Sequence, residues 1–349
     1  MRKMATIRRI KTIEPIPGAD RIEKAIVDGW HVVVGKGIHN EGDEVIFCEI
    51  DSAIPVDNPR LDPDGSLAKR GTKTVDGKKY HVLKTARLRK VYSQGLILPL
   101  DRALPFWYRV AHTFGIGFDV DKALGIFKYD PADFARNSGS KGLPANPNII
   151  GPFPVSYARK SDSERVQNLG KWWGEIQDVP EWEVTEKIDG QSVTLISDRG
   201  AIRVASRNYE VAEHAAKDWA ERNGFLDTVP DGWAIQGEWA GPGVQGNSLD
   251  LSENRFFAFD AFLNGKSESR AFWPDWALDN SIPVIGNETV SKTPDELLEH
   301  YDGIKSVINP KRLAEGVVYR TVDNSGVDAL GGRSTFKVIS NKWLMKNDS

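Results

Sequence analysis

Between Trp182 and Val338 strand-like runs follow one another with only two helical stretches among them. Strands joined without a helix between every pair cannot build a parallel sheet, so this half of the chain is predicted to be α+β with antiparallel sheets. The runs are Trp182–Glu186, Ser192–Ile196, Arg203–Ser206, Trp233–Glu238, Arg255–Phe262, Gly316–Arg320 and Arg333–Val338. Amphipathic spacing predicts helices over residues 212–223 and 294–301. A further helix is predicted to begin at Ser161 or Asp162 as N-cap, with Glu164 in its first turn and Val166 and Leu169 on one face.

Up to Leu100 the runs are shorter: Ala25–Val27, Trp30–Val34, Glu44–Ile50, Tyr80–Lys84 and Gly95–Leu100, cut by turns such as P-G-A-D, H-N-E-G-D and D-P-D-G. Five short strands with frequent turn signals fit a small all-β barrel of the OB-fold type. Residues 101–150 read as a linker or extension ending in the polar N-S-G-S-K-G-L-P-A-N-P-N, which leaves 151–349 as the antiparallel domain. A chain of 349 residues, 40% hydrophobic, is long enough for two such cores. Charges scattered through M-R-K-M-A-T-I-R-R-I exclude a signal peptide, and no apolar run approaches the roughly 18 residues of a membrane span. A soluble, cytoplasmic protein without membrane contact is expected. The lone Cys48, in the apolar E-V-I-F-C-E-I, excludes an intramolecular disulfide and a Cys-rich zinc site.

The net charge of −3 hides an asymmetry: residues 1–100 hold 18 Lys+Arg against 13 Asp+Glu, or +5, leaving −8 for the rest. Ser66 to Ser93 alone carries nine basic residues (Lys69, Arg70, Lys73, Lys78, Lys79, Lys84, Arg87, Arg89, Lys90) and one acid, Asp76, with Tyr80, His81 and Tyr92 interleaved. That mixture suits a phosphate backbone and stacked bases, and it equally suits a hairpin with a solvated lysine face.

The most pointed local feature is E-K-I-D-G, Glu186 to Gly190, a lysine at a strand end beside an Asp-Gly turn. With an ordinary pKa, neutralising such a lysine at pH 7 costs roughly 4.6 kcal/mol, so a nucleophilic role needs burial, a nearby cation or a metal to lower it. Alone, its K-x-D-G core (Lys187 to Gly190) is a common surface hairpin. Downstream come S-R-N (Ser206 to Asn208), Q-G-E-W-A-G-P-G-V-Q-G-N (Gln236 to Asn247), F-F-A-F-D-A-F (Phe256 to Phe262), A-E-G-V-V-Y-R (Ala314 to Arg320) and T-F-K-V-I-S-N-K-W-L-M-K (Thr335 to Lys346). The six histidines form no metal pair or triad order.

Taken in order, these six segments resemble nucleotidyltransferase motifs I, Ia, III, IIIa, IV and V of ATP-dependent polynucleotide ligases and mRNA capping enzymes. G-E-W-A-G-P-G-V-Q-G-N, F-A-F-D and E-G-V-V-Y-R look like the RNA ligase versions. S-D-S-E-R-V-Q-N-L, upstream of Lys187, looks like the fifth RNA ligase family, which has an amino-terminal OB domain and includes nick-sealing enzymes. The resemblance implies an adenylyltransferase domain over 151–349, ATP as AMP donor and Mg²⁺ or Mn²⁺. Lys187 would form lysyl-AMP, pass AMP to an RNA 5′-phosphate, and a 3′-hydroxyl would then close the bond, in a duplex and as a monomer.

The resemblance further implies residue roles. Glu238 and Glu315 would be catalytic, Glu238 on the ribose or the metal and Glu315 on the metal, directly or through water. Lys337 would bind the α-phosphate and, as a nearby cation, lower the pKa of Lys187. Arg207 and Asn208 would hold a phosphate or the ribose, and Phe259 would stack on adenine. Glu186, Asp189 and Gly190 would complete the nucleotide pocket, with Gly190 allowing close backbone approach. Arg165 and Gln167 would reach the triphosphate or RNA, and the basic Lys69–Lys90 region would help hold ATP phosphates or the broken duplex. One departure stands out: many relatives carry K-x-K in motif V, whereas here Ile339 follows Lys337 by two, with Lys342 as the alternative second cation. A GTP-dependent capping guanylyltransferase and a non-catalytic RNA-binding protein on the same fold are the alternatives. The first is disfavoured because its OB domain is expected after motif V, and the second because Lys187, Glu238, Glu315 and Lys337 are all present.

Overall fold

A computed structural model of the chain describes residues 3–62, 65–67, 71–111, 114–129 and 148–347. They group into two compact units, one within Met1–Leu143 and one within Pro144–Asn347.

The first unit is built on a strand that charge had disguised. Ala5–Pro15 alternates enough buried residues (Ala5, Ile7, Ile10) with its arginines and lysine to sit in the middle of a five-stranded sheet ordered Leu96–Pro99, Glu44–Cys48, Ala5–Pro15, Ile22–Val27, Trp30–Gly35. Its first half pairs with Glu44–Cys48 and its second with Ile22–Val27, with a register shift between Ile10 and Thr12. A bulge there bends the strand so that one element serves two halves of a barrel. A second sheet runs Phe127–Lys128, Ser52–Pro55, Lys78–Val82, Thr72–Val75, and a separate hairpin joins Ala86–Leu88 to Val91–Ser93. Within the stretch read as linker or extension, Ala103, Leu104, Val120, Leu124 and Ile126 are buried in the same core as Met4, Ile7 and Ile46. Residues 130–147, which include nearly all of the N-S-G-S-K-G-L-P-A-N-P-N segment, lie outside the described residues, as do Lys69 and Arg70. Cys48 is fully buried, and burial pushes its thiol well up.

The second unit has two sheets. The seven-stranded one is ordered Ile149–Pro152, Tyr209–Val211, Ala201–Ser206, Gln191–Asp198, Trp233–Ala240, Arg255–Leu263, Lys266–Ser267. Its Val193, Leu195, Val204, Ile235 and Phe256 pack against Ala216 and Ala220 of the Ala215–Arg222 helix and against Trp276. The five-stranded sheet is ordered Glu164–Arg165, Thr335–Ile339, Gly316–Thr321, Trp182–Lys187, Val284–Glu288. Its Trp182, Val184, Val317, Tyr319, Phe336 and Val338 form a second core with Leu297 and Leu298 of the Pro294–His300 helix. That helix starts where the sequence says, because Thr293 and Glu296 close a reciprocal capping box.

The helix expected from Ser161 is corrected. Glu164 and Arg165 form a short strand parallel to Phe336 and Lys337, and helical structure begins only at Val166, as a 3₁₀ turn over Val166–Trp172 followed by Trp173–Gln177. Val166 and Leu169 do share the buried face. Among the described residues no helix is long and apolar enough to cross a membrane.

Candidate active site

Strand alternation divides Trp182–Lys187 between two faces. Trp182 and Val184 point into the second core, so Glu183, Thr185 and Lys187 point the other way. Lys187 closes the strand opposite Gly316, which sets its amine beside the preceding residue, Glu315. Nζ donates to Glu315 Oε2 at 2.5 Å. The Glu315 carbonyl accepts from the Ser340 amide at 2.9 Å, which fixes its backbone. Gly316 is required by contact: a Cβ there would stand 2.0 Å from the Val338 carbonyl oxygen.

After Lys187 the chain turns through Ile188–Asp189–Gly190 into Gln191–Asp198 of the seven-stranded sheet, where Ser192 pairs with Glu238 and Glu238 with Phe257. A Cβ on Gly190 would lie 2.4 Å from the Trp239 carbonyl oxygen and 2.9 Å from Glu238 Cγ. The glycine of K-x-D-G thus lets the Glu238 strand press against the turn that carries the lysine.

The result is a lysine among carboxylates. Desolvation alone would lower the Lys187 pKa, but Glu315, Glu238, the hydrogen bond to Glu315 and Asp189 outweigh it, and the net shift is upward. Where motif order suggests a pKa lowered by Lys337, the surrounding carboxylates instead hold the amine as an ammonium. Desolvation pushes Glu238 up to about 8, with Lys187 and Arg207 opposing and Glu315 and Asp189 reinforcing. Excess negative charge in a half-buried cluster is the condition a divalent cation relieves. Among the described residues no group of three or more His, Cys, Asp or Glu forms a ready-made metal cage. One or two carboxylates, completed by phosphate oxygens and water, is the mode hard cations use at nucleotide sites, and Glu315 with Glu238 fits it.

Lys337 lies on the same face of the five-stranded sheet as Thr185, facing Val318, with Arg165 on its other flank. Arg165 is 6% exposed and Gln167 is 1% exposed. Arg207 is exposed in the turn after Ala201–Ser206, within electrostatic reach of Glu238. Asn208 accepts from Lys160 Nζ at 3.3 Å, and its carbonyl accepts from the Phe153 amide. Glu186 departs from the lysine face: it is fully buried, its Oε2 accepts from the Val307 amide at 2.7 Å, and burial raises its pKa. Lys342 lies on the Asn341–Asn347 helix, bonded to the Asp302 carbonyl at 3.1 Å, and Ile339 is 2% exposed.

Phe259 occupies a bulge that alternation did not reveal. Ala258 pairs with Gly237 while Asp260 pairs with Gln236, so Phe259 is the extra residue, half-buried beside Ile188, Leu249 and Phe257. Two residues given no role from sequence hold it there. Arg320 donates to the Phe259 carbonyl at 2.9 Å and to Asp260 Oδ2 at 3.2 Å, tying one sheet to the other. Both stand inside quoted motifs, Arg320 ending E-G-V-V-Y-R and Asp260 ending F-A-F-D, so the signal was present without its geometry. Arg270, in the 3₁₀ turn Arg270–Phe272 beyond the seven-stranded sheet, pairs with the five-stranded one, Nε 2.8 Å from Glu183 Oε2.

Comparison with known proteins agrees with this architecture. A family profile described as an OB-fold domain matches residues 4–100, and one described as RNA ligase matches residues 180–339. Among solved structures, Naegleria gruberi RNA ligase with PPi aligns at 33% identity and a TM-score of 0.79, covering 100% of this chain and 99% of that one. A mutant of the same ligase with ATP and Mn aligns at 32% identity and a TM-score of 0.80, and another with AMP and Mn at 33% and 0.81, each covering 99% of both chains. Similarity at this level over both units places the chain in a family: it belongs to the ATP-dependent RNA ligases of the fifth RNA ligase family, with an N-terminal OB-fold domain ahead of the nucleotidyltransferase domain.

Proposed function

We propose that this ligase seals breaks in duplexed RNA that carry a 3′-hydroxyl and a 5′-phosphate, through lysyl-AMP and RNA-adenylate, with Lys187 as nucleophile. The observation that carries the assignment is the Lys187–Glu315 contact with Glu238 beside it: one amine and two carboxylates brought together from positions 187, 238 and 315. In the first step a Lys187 Nζ–P bond forms as the bond from the α-phosphorus to the pyrophosphate oxygen breaks. In the second an RNA 5′-phosphate oxygen displaces the Lys187 amine from phosphorus. In the third a 3′-oxygen attacks the 5′-phosphorus, gives up its proton and expels AMP.

Lys187 must lose a proton before attack, and the same carboxylates that hold that proton are the residues suited to a cation. Bound Mg²⁺ or Mn²⁺ would be held by Glu315 and Glu238, supplying positive charge that releases the Lys187 proton and offsets the triphosphate. Lys337 and Arg165 extend the same face with two cations suited to phosphate oxygens. Arg207 and Asn208 sit in the turn after Ala201–Ser206, Arg207 within electrostatic reach of Glu238, and Phe259 offers a ring for adenine. The reported Naegleria complexes with ATP, AMP, Mn and PPi support this nucleotide chemistry. A panel of substrates tests the reading: nicked duplexes with ribose or deoxyribose at the 3′-hydroxyl side, a gapped duplex and a single strand, each with a 5′-phosphate. Sealing of the nick with a ribose 3′-end ahead of the single strand is expected. Sealing confined to single strands would overturn the duplex assignment.

A further inference from the structure

We infer that the tip of the Ala86–Ser93 hairpin in the first unit is a finger that grips the phosphate backbone of the broken duplex; the inference rests on the RNA ligase reading and names a substrate contact that reading leaves open. The hairpin has a two-residue turn, since Leu88 pairs with Val91 and only Arg89 and Lys90 lie between. Both adopt positive φ, 48° and 69°. Such a turn needs the left-handed region twice, which is why Asn-Gly and Asp-Gly usually fill it. Elsewhere this chain puts Gly in the second place: Asp76–Gly77, Arg199–Gly200 and Asn264–Gly265 close two-residue hairpins at φ of 47° and 77°, 54° and 73°, and 50° and 82°. Among these described hairpins only the 86–93 turn spends both strained positions on long cations, and strain of this kind concentrates where a function holds it.

The rest of the hairpin is built to present that tip. Its base is fixed: the Gln94 amide donates to the His31 carbonyl at 2.8 Å, Ser93 Oγ accepts from the Val33 amide at 3.0 Å, and Ser93 and Gln94 are buried. Its end is open, with Arg87, Arg89 and Lys90 exposed and Leu88 42% exposed. Arg87 lies over the Tyr92 ring, 5.3 Å from the centroid. None of Arg87, Arg89 and Lys90 forms a salt bridge among the described residues. Unneutralised cations at an exposed hairpin tip complement a polyanion, and each phosphate contact carries a measurable salt signature.

The test is R89N/K90G in the full chain, which installs the Asn-Gly pair already used at 264–265, so the thermal midpoint is expected to hold or rise. Binding of a fluorescent nicked RNA duplex is followed by anisotropy without ATP or metal at several salt concentrations. Loss of two contacts at about 0.9 each flattens the log–log salt slope by about 1.8 and weakens binding about 60-fold at 0.1 M salt but only about 3-fold at 0.5 M. An unchanged slope and affinity would overturn the inference. So would a parallel loss of covalent AMP transfer from ATP alone, which would assign the tip to the triphosphate. Failure of the native protein to form any AMP adduct would instead strike at the ligase reading on which the inference rests.

Discussion

Lys187 Nζ stands 2.5 Å from Glu315 Oε2 because the register of two antiparallel strands sets Lys187 opposite Gly316. That contact holds the amine in place and keeps it protonated. Glu315→Gln keeps the shape and removes the charge, so the Lys187 pKa falls. Modification of Lys187 by an acylating reagent, read by mass spectrometry on ligand-free protein, is expected to speed up. Adenylylation is expected to drop by roughly 10²-fold or more, because a charge aimed at the reacting phosphate is lost.

Glu238 separates stability from activity. Its folded pKa, raised from 4.5 to about 8, stabilises the fold fully below pH 4.5, and that contribution is lost as pH rises through about 8. Glu238→Gln does not titrate, so its stability relative to the native protein should climb across that window and level off above it. The gain at pH 9 is expected to be on the order of 2 kcal/mol, allowing for the partial exposure of the group. Urea unfolding at pH 5, 7 and 9 measures it. With divalent metal limiting, native adenylylation should rise with pH through about 8, as the carboxylate becomes free to bind the cation.

Gly190→Ala tests the turn. The new methyl meets the Trp239 carbonyl and Glu238 Cγ, both closer than a Cβ tolerates, so the Glu238 strand must move. A displacement near 1 Å at reacting groups costs about 10²-fold in rate. Single-turnover adenylylation should show that loss, with far-UV circular dichroism unchanged.

Arg320 and Asp260 test the tie between the sheets. Both are nearly buried, with side-chain exposures of 11% and 8%. Removing one partner leaves the other uncompensated, so Arg320→Met is expected to destabilise by about 3–5 kcal/mol. Because Arg320 also anchors the Phe259 carbonyl, the variant should raise the KM for ATP more than it lowers kcat. Phe259→Ala should share the KM effect without the loss of stability.

What was legible in the sequence had local causes. Strands from Trp182 onward declared themselves by apolar runs, the Pro294–His300 helix by its amphipathic spacing, and Lys187, Glu238 and Glu315 by ordered motifs. What was illegible depended on distant partners. Ser161–Glu164 looks like a helix start, but Glu164 and Arg165 pair with Phe336 and Lys337, some 170 residues away. Ala5–Pro15 is absent from the strand runs because charges interrupt its apolar residues; it is a strand because Glu44–Cys48 and Ile22–Val27 flank it. The bulge at Phe259 breaks the alternation that the apolar pattern suggests. The sign of the Lys187 shift was missed because motif order names neighbours without weighing three carboxylates against burial.

The most direct test is covalent labelling. Incubated with α-³²P-labelled ATP and Mn²⁺ or Mg²⁺, the native protein is expected to carry acid-labile AMP on the peptide containing Lys187. Pyrophosphate should discharge it, and Lys187→Ala should take up none. An unlabelled native protein, or label that survives in Lys187→Ala, would contradict the account.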